Sequence, residues 1–256
     1  MKCCILHVLC EGPTEVAFVK KVLAPYLNGF SIYPKPISLC TSRKKNAYGG
    51  VTNYIKIVND LNPIFASIKK SSNEIHIVTT MLDLYALPND MPGYGDSQNI
   101  RNPYEQVAAL EAAMASDICQ RNFIPYIQLH EFEALLFSDI TKLSAEYERV
   151  SKKILALKEE TDKVSDGNPE LINHGVNTAP SKRIIQCLAG EYRYDKVRSG
   201  AGIASLITLP VIMEKCRHFR EWIAKITDLF TPAFFRRRAP RSRWGHTSPA
   251  PPPGPT

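Results

Sequence analysis

Short apolar runs alternate with amphipathic segments along the first 130 residues of the chain. The apolar runs cover residues 3–10, 30–39, 75–84 and 123–130 and are rich in residues that favour strands. Between them, apolar positions recur at helical spacing over about 13–28, 52–69 and 102–118. Strands that alternate with helices predict an α/β fold with a mainly parallel sheet, flanked by helices and joined by right-handed crossovers.

The pattern changes after the fourth apolar run. Residues 131–158, 180–189 and 205–229 have the periodicity of helices, and the polar segment 162–180 separates the first from the second. We therefore expect an α/β domain over residues 1–140, a helical C-terminal portion over 141–230, and a disordered tail over 231–256.

The tail also accounts for most of the net charge. It contains five arginines and no acidic residue, and it ends in a proline-rich stretch that cannot form a core. Subtracting these arginines from the +7 of the whole chain leaves +2 for residues 1–230. An arginine-rich tail can bind nucleic acid. The abrupt change in composition favours the alternative of a non-native end, such as a frameshift produces.

Cysteine usage and hydropathy limit the class of protein. The seven cysteines include no C-x-x-C pair, which argues for reduced thiols rather than a disulfide framework or a zinc site. No apolar run reaches the roughly 18 residues that cross a bilayer, and the N-terminus lacks the pattern of a signal peptide. We expect a cytoplasmic protein without a membrane partner, and an oligomer is possible.

Acidic residues follow three of the four predicted strands. Glu11 and Glu15 lie in the turn after the first strand, Asp83 ends the third, and Glu131 and Glu133 follow the fourth. Because the carboxyl ends of parallel strands share one edge, these side chains are expected to meet there. Mg²⁺ and Mn²⁺ favour carboxylate oxygen ligands, so the pattern predicts a metal site.

The acids near predicted helix starts also have a simpler interpretation. Glu11 and Glu15 flank the start of a helix, where carboxylates cap free N–H groups. Glu131 and Glu133 are two residues apart and cannot share a helical face, so we expect only one, preferably Glu133, to point at the edge. His130 lies between the strand and these acids. We expect it to have a structural or supporting role rather than to bind the metal.

Further polar residues border the predicted edge. Ser181 and Lys182 open a predicted helix and, with Lys196, could receive a phosphate; the alternative is a capped helix with solvated charges. A basic loop with Lys44 and Lys45 is suited to the backbone of a nucleic acid. We expect Asp139 to be a solvent-exposed residue on a helix rather than an acid that supports the metal site. The turn-rich loop 87–96 is expected to overhang the site.

Four ordered motifs resemble a bacterial family of unknown function, DUF4276. They are residues 11–15, 81–88 with 92–93, 130–139 and 178–183, and the resemblance runs from residue 2 to about 230. The family is similar to a divergent TOPRIM domain, the fold of type II topoisomerases, primases and OLD-type nucleases. Some of its members are thought to be encoded beside ATPases in phage-defence settings.

The resemblance implies roles for individual residues. Glu11 corresponds to the TOPRIM glutamate, a metal ligand or general acid/base, and Glu15 to the second acid of nuclease-type members. Asp83 corresponds to the first acid of the Asp-x-Asp motif. The chain departs from this motif at Tyr85, which stands where the family's second aspartate is expected. One-metal chemistry is therefore favoured over two-metal chemistry, unless Glu131 or Glu133 replaces that acid.

These observations lead to three functional hypotheses. The first is a Mg²⁺- or Mn²⁺-dependent DNA endonuclease or nickase that acts with an ATPase partner in phage defence, with Glu11, Asp83 and Lys182 as catalytic residues. The second is a catalytically weak TOPRIM-fold subunit that docks onto or regulates an ATPase. The third is phosphoryl transfer or hydrolysis on a nucleotide, for which the same site would serve.

Overall fold

The computed structural model of the chain describes residues 3–42, 47–48, 53–68, 74–172 and 178–228. The strands are β1 (Cys3–Cys10), β2 (Ile32–Ser38), β3 (Cys40–Ser42), β4 (Ala47–Tyr48), β5 (Glu74–Asp83), β6 (Phe123–Ile124) and β7 (Ile127–Gln128). The α-helices are α1 (Pro13–Phe18), α2 (Ala24–Asn28), α3 (Tyr54–Ser67), α4 (Tyr94–Ser97), α5 (Pro103–Ile118), α6 (Ser151–Ser165), α7 (Pro180–Leu188), α8 (Lys196–Ile207), α9 (Leu209–Lys215) and α10 (Arg217–Asp228). A π-helical turn (Val19–Leu23) joins α1 to α2, and 3-10 segments cover Leu84–Ala86, Phe132–Ala145, Glu148–Val150 and Pro169–Leu171.

The main sheet is parallel, as the alternation of strands and helices predicts. Its order is β2-β1-β5-β6, and β7 pairs with β5 farther along the same strand. Strands β3 and β4 form a separate antiparallel pair. The predicted α/β fold with a helical C-terminal part is confirmed.

The register of the sheet aligns the carboxyl ends of its strands. Cys10, the last residue of β1, pairs with Ser38 on one side and with Met81 on the other. Asp83, the last residue of β5, pairs with Gln128 at the end of β7. The residues that follow these strands therefore leave the sheet at one edge.

Two apolar cores enclose the sheet. Along β1, Cys4, Leu6 and Val8 belong to the core shared with α1, α2 and the C-terminal helices. Leu9 belongs to the opposite core, with residues of α3 and α5. A strand buried on both faces has a nearly continuous apolar sequence, which is why β1 was predictable.

The C-terminal helices pack directly on the sheet. Trp222 of α10 stacks on Tyr126 with ring centroids 4.2 Å apart, and its indole N–H donates to Thr79 Oγ1 of β5 at 2.9 Å. Phe18 of α1 makes edge contacts with Phe132 and Phe219. One core cluster thus joins residues from both sides of the predicted boundary at residue 140, and the division into two parts stays a prediction.

Three elements differ in detail from their predicted forms. The predicted strand 123–130 is interrupted after Ile124, where Pro125 has no N–H to donate to a ladder. The predicted helix 131–158 begins as a 3-10 segment, leaves helical geometry at Asp139 and becomes regular only in α6. The helix expected over 205–229 is instead the end of α8 followed by α9 and α10. Helix α8 ends before Thr208, whose φ of 77° is not helical and which lies two residues before Pro210.

Two predicted features lie outside the described residues: the basic loop with Lys44 and Lys45, and the tail 231–256. Within the described ranges, no single helix has the length and apolar character needed to cross a membrane. Helices α8 and α9 meet those criteria only as a pair, and an 84° bend separates them.

Candidate metal centre at the carboxyl edge of the sheet

The acids that follow β1 and end β5 are neighbours. The backbone N–H of Glu11 donates to Met81 O at 3.0 Å, which extends the parallel ladder by one residue. The carboxylate of Glu11 accepts a hydrogen bond from the Asp83 N–H, with 2.9 Å between Oε2 and N. The Asp83 carboxylate keeps one buried oxygen, Oδ1, without a hydrogen-bond partner among the described residues.

Glu15 has the capping role that its position suggests. Its Oε2 accepts a hydrogen bond from the Gly12 N–H at 2.8 Å, at the start of α1. The side chain is nevertheless buried, and burial together with the negative charge of Glu11 raises the pKa of Glu15 to about 7. Glu15 therefore caps the helix and lies close enough to Glu11 for the two carboxyl groups to influence each other's ionisation.

Glu131 and Glu133 both reach the edge but have different partners. The Glu131 carboxylate accepts hydrogen bonds from the Ser181 backbone N–H and, at 3.0 Å, from the Ser181 hydroxyl. It thus occupies the N-terminus of α7, the position that the sequence suggested for a phosphate. The Lys196 ammonium also lies 3.6 Å from Glu131 Oε2.

Glu133 is more deeply buried, with 2% of its side chain exposed, and Lys196 Nζ lies 3.3 Å from its carboxylate. Glu133 Oε1 lies 3.3 Å from that ammonium as an ion pair but has no hydrogen bond within the described part of the chain. The expectation that only one of the two acids points at the edge was wrong. It assumed that both lie in one helix, whereas Glu131 is extended and the 3-10 segment begins after it.

Burial and mutual repulsion destabilise the ionised forms of these acids. Burial raises the pKa of Asp83 well above its ordinary value, and the charges of Glu11 and Glu15 raise it further. Burial also raises the pKa of Glu11, and it raises that of Glu133 to about 7 although Lys196 opposes the shift. Carboxylates crowded in this way bind cations favourably, because a cation offsets the repulsion.

Lys196 is the cation that contacts these acids. Burial lowers its pKa, but the carboxylates of Glu133 and Glu131 outweigh that effect, and the net shift is upward. The ammonium is therefore charged at neutral pH, and 45% of the side chain remains exposed. Lys182 is exposed on the first turn of α7 and forms no ion pair with the described carboxylates. Its catalytic role stays a prediction.

The chemistry of the donors fits a hard divalent cation. Asp83 Oδ1 and Glu133 Oε1 are buried carboxylate oxygens without hydrogen bonds at the same edge, and the second of them faces the Lys196 ammonium at 3.3 Å. Among the described residues, no group of three or more His, Cys, Asp or Glu side chains is arranged so that it could hold a metal ion. Glu11, Asp83 and Glu133 would therefore need to adjust their side chains to hold an ion, with water completing its shell.

A tyrosine–histidine pair lies at the side of the centre. The Tyr85 hydroxyl is 2.9 Å from His130 Nδ1, and His130 Nε2 is 2.9 Å from Glu170 O. Since a carbonyl only accepts hydrogen bonds, Nε2 carries the proton and Nδ1 accepts from Tyr85. This arrangement gives His130 the supporting role that the sequence favoured, and gives Tyr85 a fixed place beside Asp83.

Two other candidates, Asp139 and the loop 87–96, form contacts with residues outside the group of acids. Asp139 pairs with Lys142, 3.4 Å between Oδ2 and Nζ. The loop 87–96 is attached to α3, because Asp90 Oδ1 accepts a hydrogen bond from the Tyr54 N–H at 2.8 Å.

Sequence reasoning missed Tyr194, whose buried hydroxyl has no hydrogen-bond partner among the described residues. Its position two residues before Lys196 was the available signal.

Comparison with known proteins gives a family for the chain. The model of a family described as a domain of unknown function, DUF4276, matches residues 10–227, a range that contains every acid of the centre and Lys196. No curated protein and no solved structure matches the chain. The match covers well over half of the 256 residues, and the chain therefore belongs to the DUF4276 family.

Proposed function

We propose that the protein is a Mg²⁺- or Mn²⁺-dependent nuclease, a DNA endonuclease or nickase. The observation that carries the proposal is the convergence of Glu11, Asp83 and Glu133 at the carboxyl edge of a parallel sheet, with two buried carboxylate oxygens left without hydrogen bonds. Ligands bind at this edge in open α/β sheets. Such a donor set favours hard cations.

The residues of the centre divide the work between them. Glu11, Asp83 and Glu133 hold the cation, and Glu15 caps α1 beside Glu11. Glu131 is engaged with Ser181 and Lys196, which makes it a weaker ligand than Glu133. A bound divalent cation would polarise the phosphodiester and lower the pKa of a water molecule bound to it.

Phosphate binding falls to Lys196 in this proposal. Its ammonium reaches the buried Glu133 and is still half-exposed, so it can face both the carboxylates and an incoming phosphodiester. An ammonium beside a phosphate offsets part of the negative charge that the carboxylates present to the substrate. Lys182, which follows Ser181 in the first turn of α7, is a second candidate for this role.

Tyr85 limits the number of cations. In the TOPRIM family that the sequence resembles, this position is the second aspartate, but here it is a phenol whose hydroxyl pairs with His130. A phenol that stays protonated is a poor ligand for Mg²⁺. We therefore propose one-metal chemistry. The same resemblance favours an ATPase partner and a role in phage defence.

The alternative is a catalytically weak subunit that docks onto or regulates an ATPase. Two observations favour it: Tyr85 at the position of the second acid, and the net charge of only +2 over residues 1–230. Non-specific binding to DNA depends on neutralising phosphates and is weak for a nearly neutral surface. Co-purification of an ATPase with a protein that does not bind Mn²⁺ would favour this alternative.

The test is nicking of supercoiled plasmid DNA by the purified protein in Mn²⁺. Glu11→Gln and Asp83→Asn are each expected to reduce the rate by about 100-fold or more, since each removes a charged ligand. Glu159→Gln, which changes an exposed carboxylate on α6, serves as the matched control and retains activity. Equal rates for all four proteins, or nicking that survives EDTA, would overturn the proposal.

A further inference from the structure

The hydroxyl of Tyr194 is an unexplained polar group in the described part of the chain. Tyr194 lies two residues before α8, and 8% of it is exposed. Its hydroxyl is buried and has no hydrogen-bond partner among the described residues. Leaving a buried hydroxyl unpaired costs about 1–3 kcal/mol, so such groups usually serve a ligand, an ion or a water molecule.

The hydroxyl lies where three elements of the centre meet. A Cβ added at Gly200 of α8 would stand 3.5 Å from Tyr194 Oη, 3.3 Å from Thr14 Cγ2 and 3.1 Å from Phe132 Cε1. Thr14 is in the first turn of α1, between Glu11 and Glu15, and Phe132 is the first residue of the 3-10 segment, between Glu131 and Glu133. The absence of a side chain at Gly200 therefore permits the close approach that brings Tyr194 to this position.

The electrostatic surroundings of Tyr194 point in the same direction. Burial raises the pKa of Tyr194 above its ordinary value, and the nearby charges of Glu133 and Glu131 raise it further. The hydroxyl therefore remains protonated at neutral pH and can donate a hydrogen bond. A phenolate nucleophile is disfavoured among these acids.

The depth of the hydroxyl limits what it can bind. Tyr194 and Glu133 are both more than nine-tenths buried, so a DNA phosphate is too large to contact their side chains, whereas a water molecule is small enough. Each of the two side chains keeps a buried oxygen atom without a hydrogen bond, and the Glu133 oxygen also faces the Lys196 ammonium at 3.3 Å. One water molecule close to both would satisfy the phenol as a donor and the carboxylate as an acceptor.

We propose that Tyr194 donates a hydrogen bond to a water molecule in the coordination shell of the divalent cation held by Glu11, Asp83 and Glu133. This inference rests on the proposed function, since it requires that the centre binds a cation. Tyr194 is then a positioning residue: it fixes a cation-bound water and thereby stabilises the ion. Hydrogen-bond partners of this kind typically change metal affinity by about 10-fold or more.

The chain offers a matched control in Tyr147. Its hydroxyl is also buried and near α8, but it is 2.7 Å from Ser199 Oγ and is therefore satisfied within the protein. Tyr147→Phe removes a buried hydroxyl of the same type without touching the centre. It is expected to lower the melting temperature, because Ser199 loses its partner, and to leave Mn²⁺ affinity unchanged.

The experiment compares Mn²⁺ binding by calorimetry in the wild type, Tyr194→Phe and Tyr147→Phe, with melting temperatures in EDTA. Tyr194→Phe is expected to weaken Mn²⁺ binding by about 10-fold while its melting temperature in EDTA does not fall. A wild type that binds Mn²⁺ and a Tyr194→Phe variant that binds it equally well would overturn this inference and leave the proposed function standing. A wild type that binds no Mn²⁺ would overturn both.

Discussion

Glu11 and Asp83, 72 residues apart in the chain, are joined by a hydrogen bond from the Asp83 backbone N–H to the Glu11 carboxylate, at 2.9 Å. The bond continues the parallel pairing of β1 with β5 beyond Cys10 and Met81. Because the sheet sets their positions, the two acids are held in place by the core of the protein rather than by a surface loop. The sheet therefore fixes the backbone positions of the two acids, and binding of a cation would require only their side chains to adjust.

Asp83→Asn should abolish stabilisation by Mn²⁺. At 100 times the dissociation constant, a cation that binds only the folded state stabilises it by about 2.7 kcal/mol, which corresponds to roughly 5–10 °C in melting temperature. The wild type is expected to show a shift of that size and Asp83→Asn almost none. Asp96→Asn, an exposed acid in the same region of the chain, is the control and should behave as the wild type. A full shift in Asp83→Asn would contradict the assignment.

The paired variants Glu131→Gln and Glu133→Gln should separate the two neighbouring acids. Glu131 caps α7 through Ser181, so its loss is expected to cost about 1 kcal/mol of unfolding free energy while Mn²⁺ affinity changes little. Glu133→Gln is expected to weaken Mn²⁺ binding by 10-fold or more, as for loss of a ligand. Chemical denaturation and calorimetry measure the two effects. Weaker Mn²⁺ binding by Glu131→Gln together with unchanged binding by Glu133→Gln would contradict these assignments.

Lys196→Met should affect cation binding and catalysis in opposite directions. Removal of a positive charge beside the acids is expected to tighten Mn²⁺ binding by about threefold, since the lysine and the cation repel each other. The same change should lower kcat/KM for plasmid nicking, because the phosphate loses its cationic partner. Lys182→Met is expected to leave Mn²⁺ affinity unchanged. Weaker Mn²⁺ binding by Lys196→Met would contradict this account.

His7 should make the protein less stable in mild acid. It lies on β1 with Nε2 3.1 Å from His76 Nδ1, and burial, then His76 and Lys35, lower its pKa to about 4. The unfolded chain, with an ordinary pKa near 6.5, binds the proton more tightly. The contribution of neutral His7 to the free energy of unfolding is therefore complete above pH 6.5 and is lost as the pH falls towards 4.

The variant His7→Gln isolates this effect, because glutamine does not titrate. Between pH 6.5 and 4.5 the unfolding free energy of the wild type should fall by about 1–2 kcal/mol more than that of His7→Gln, after a discount for partial exposure. Urea denaturation at several pH values measures the difference. Parallel pH profiles for the two proteins would show that His7 does not titrate as proposed.

The sheet and the acids at its edge were predictable because both depend on local patterns. β1 is buried on both faces, which produces a continuous apolar run, and an acid directly after such a run must lie at the strand end. The parallel arrangement then follows from the helices between the strands. For the same reason Glu11 and Asp83 could be placed together without any knowledge of their contacts.

Features that depend on tertiary contacts were not predictable. Helix α8 begins at Lys196, where Asp195 Oδ1 caps the Arg198 N–H, but the glycines that follow hide its periodicity. One of them, Gly200, serves close packing rather than a turn. The contact between Glu131 and Ser181 likewise joins residues 50 positions apart, and no spacing in the sequence indicates it.

The central claim, that Glu11, Asp83 and Glu133 hold a divalent cation, is tested most directly by anomalous diffraction from crystals soaked in Mn²⁺. The account predicts one strong anomalous peak within about 2.5 Å of oxygen atoms of these three carboxylates. It also predicts that the peak is absent from crystals of Asp83→Asn. Mn²⁺-soaked wild-type crystals without a peak at this edge, or with the ion bound only elsewhere, would contradict the account.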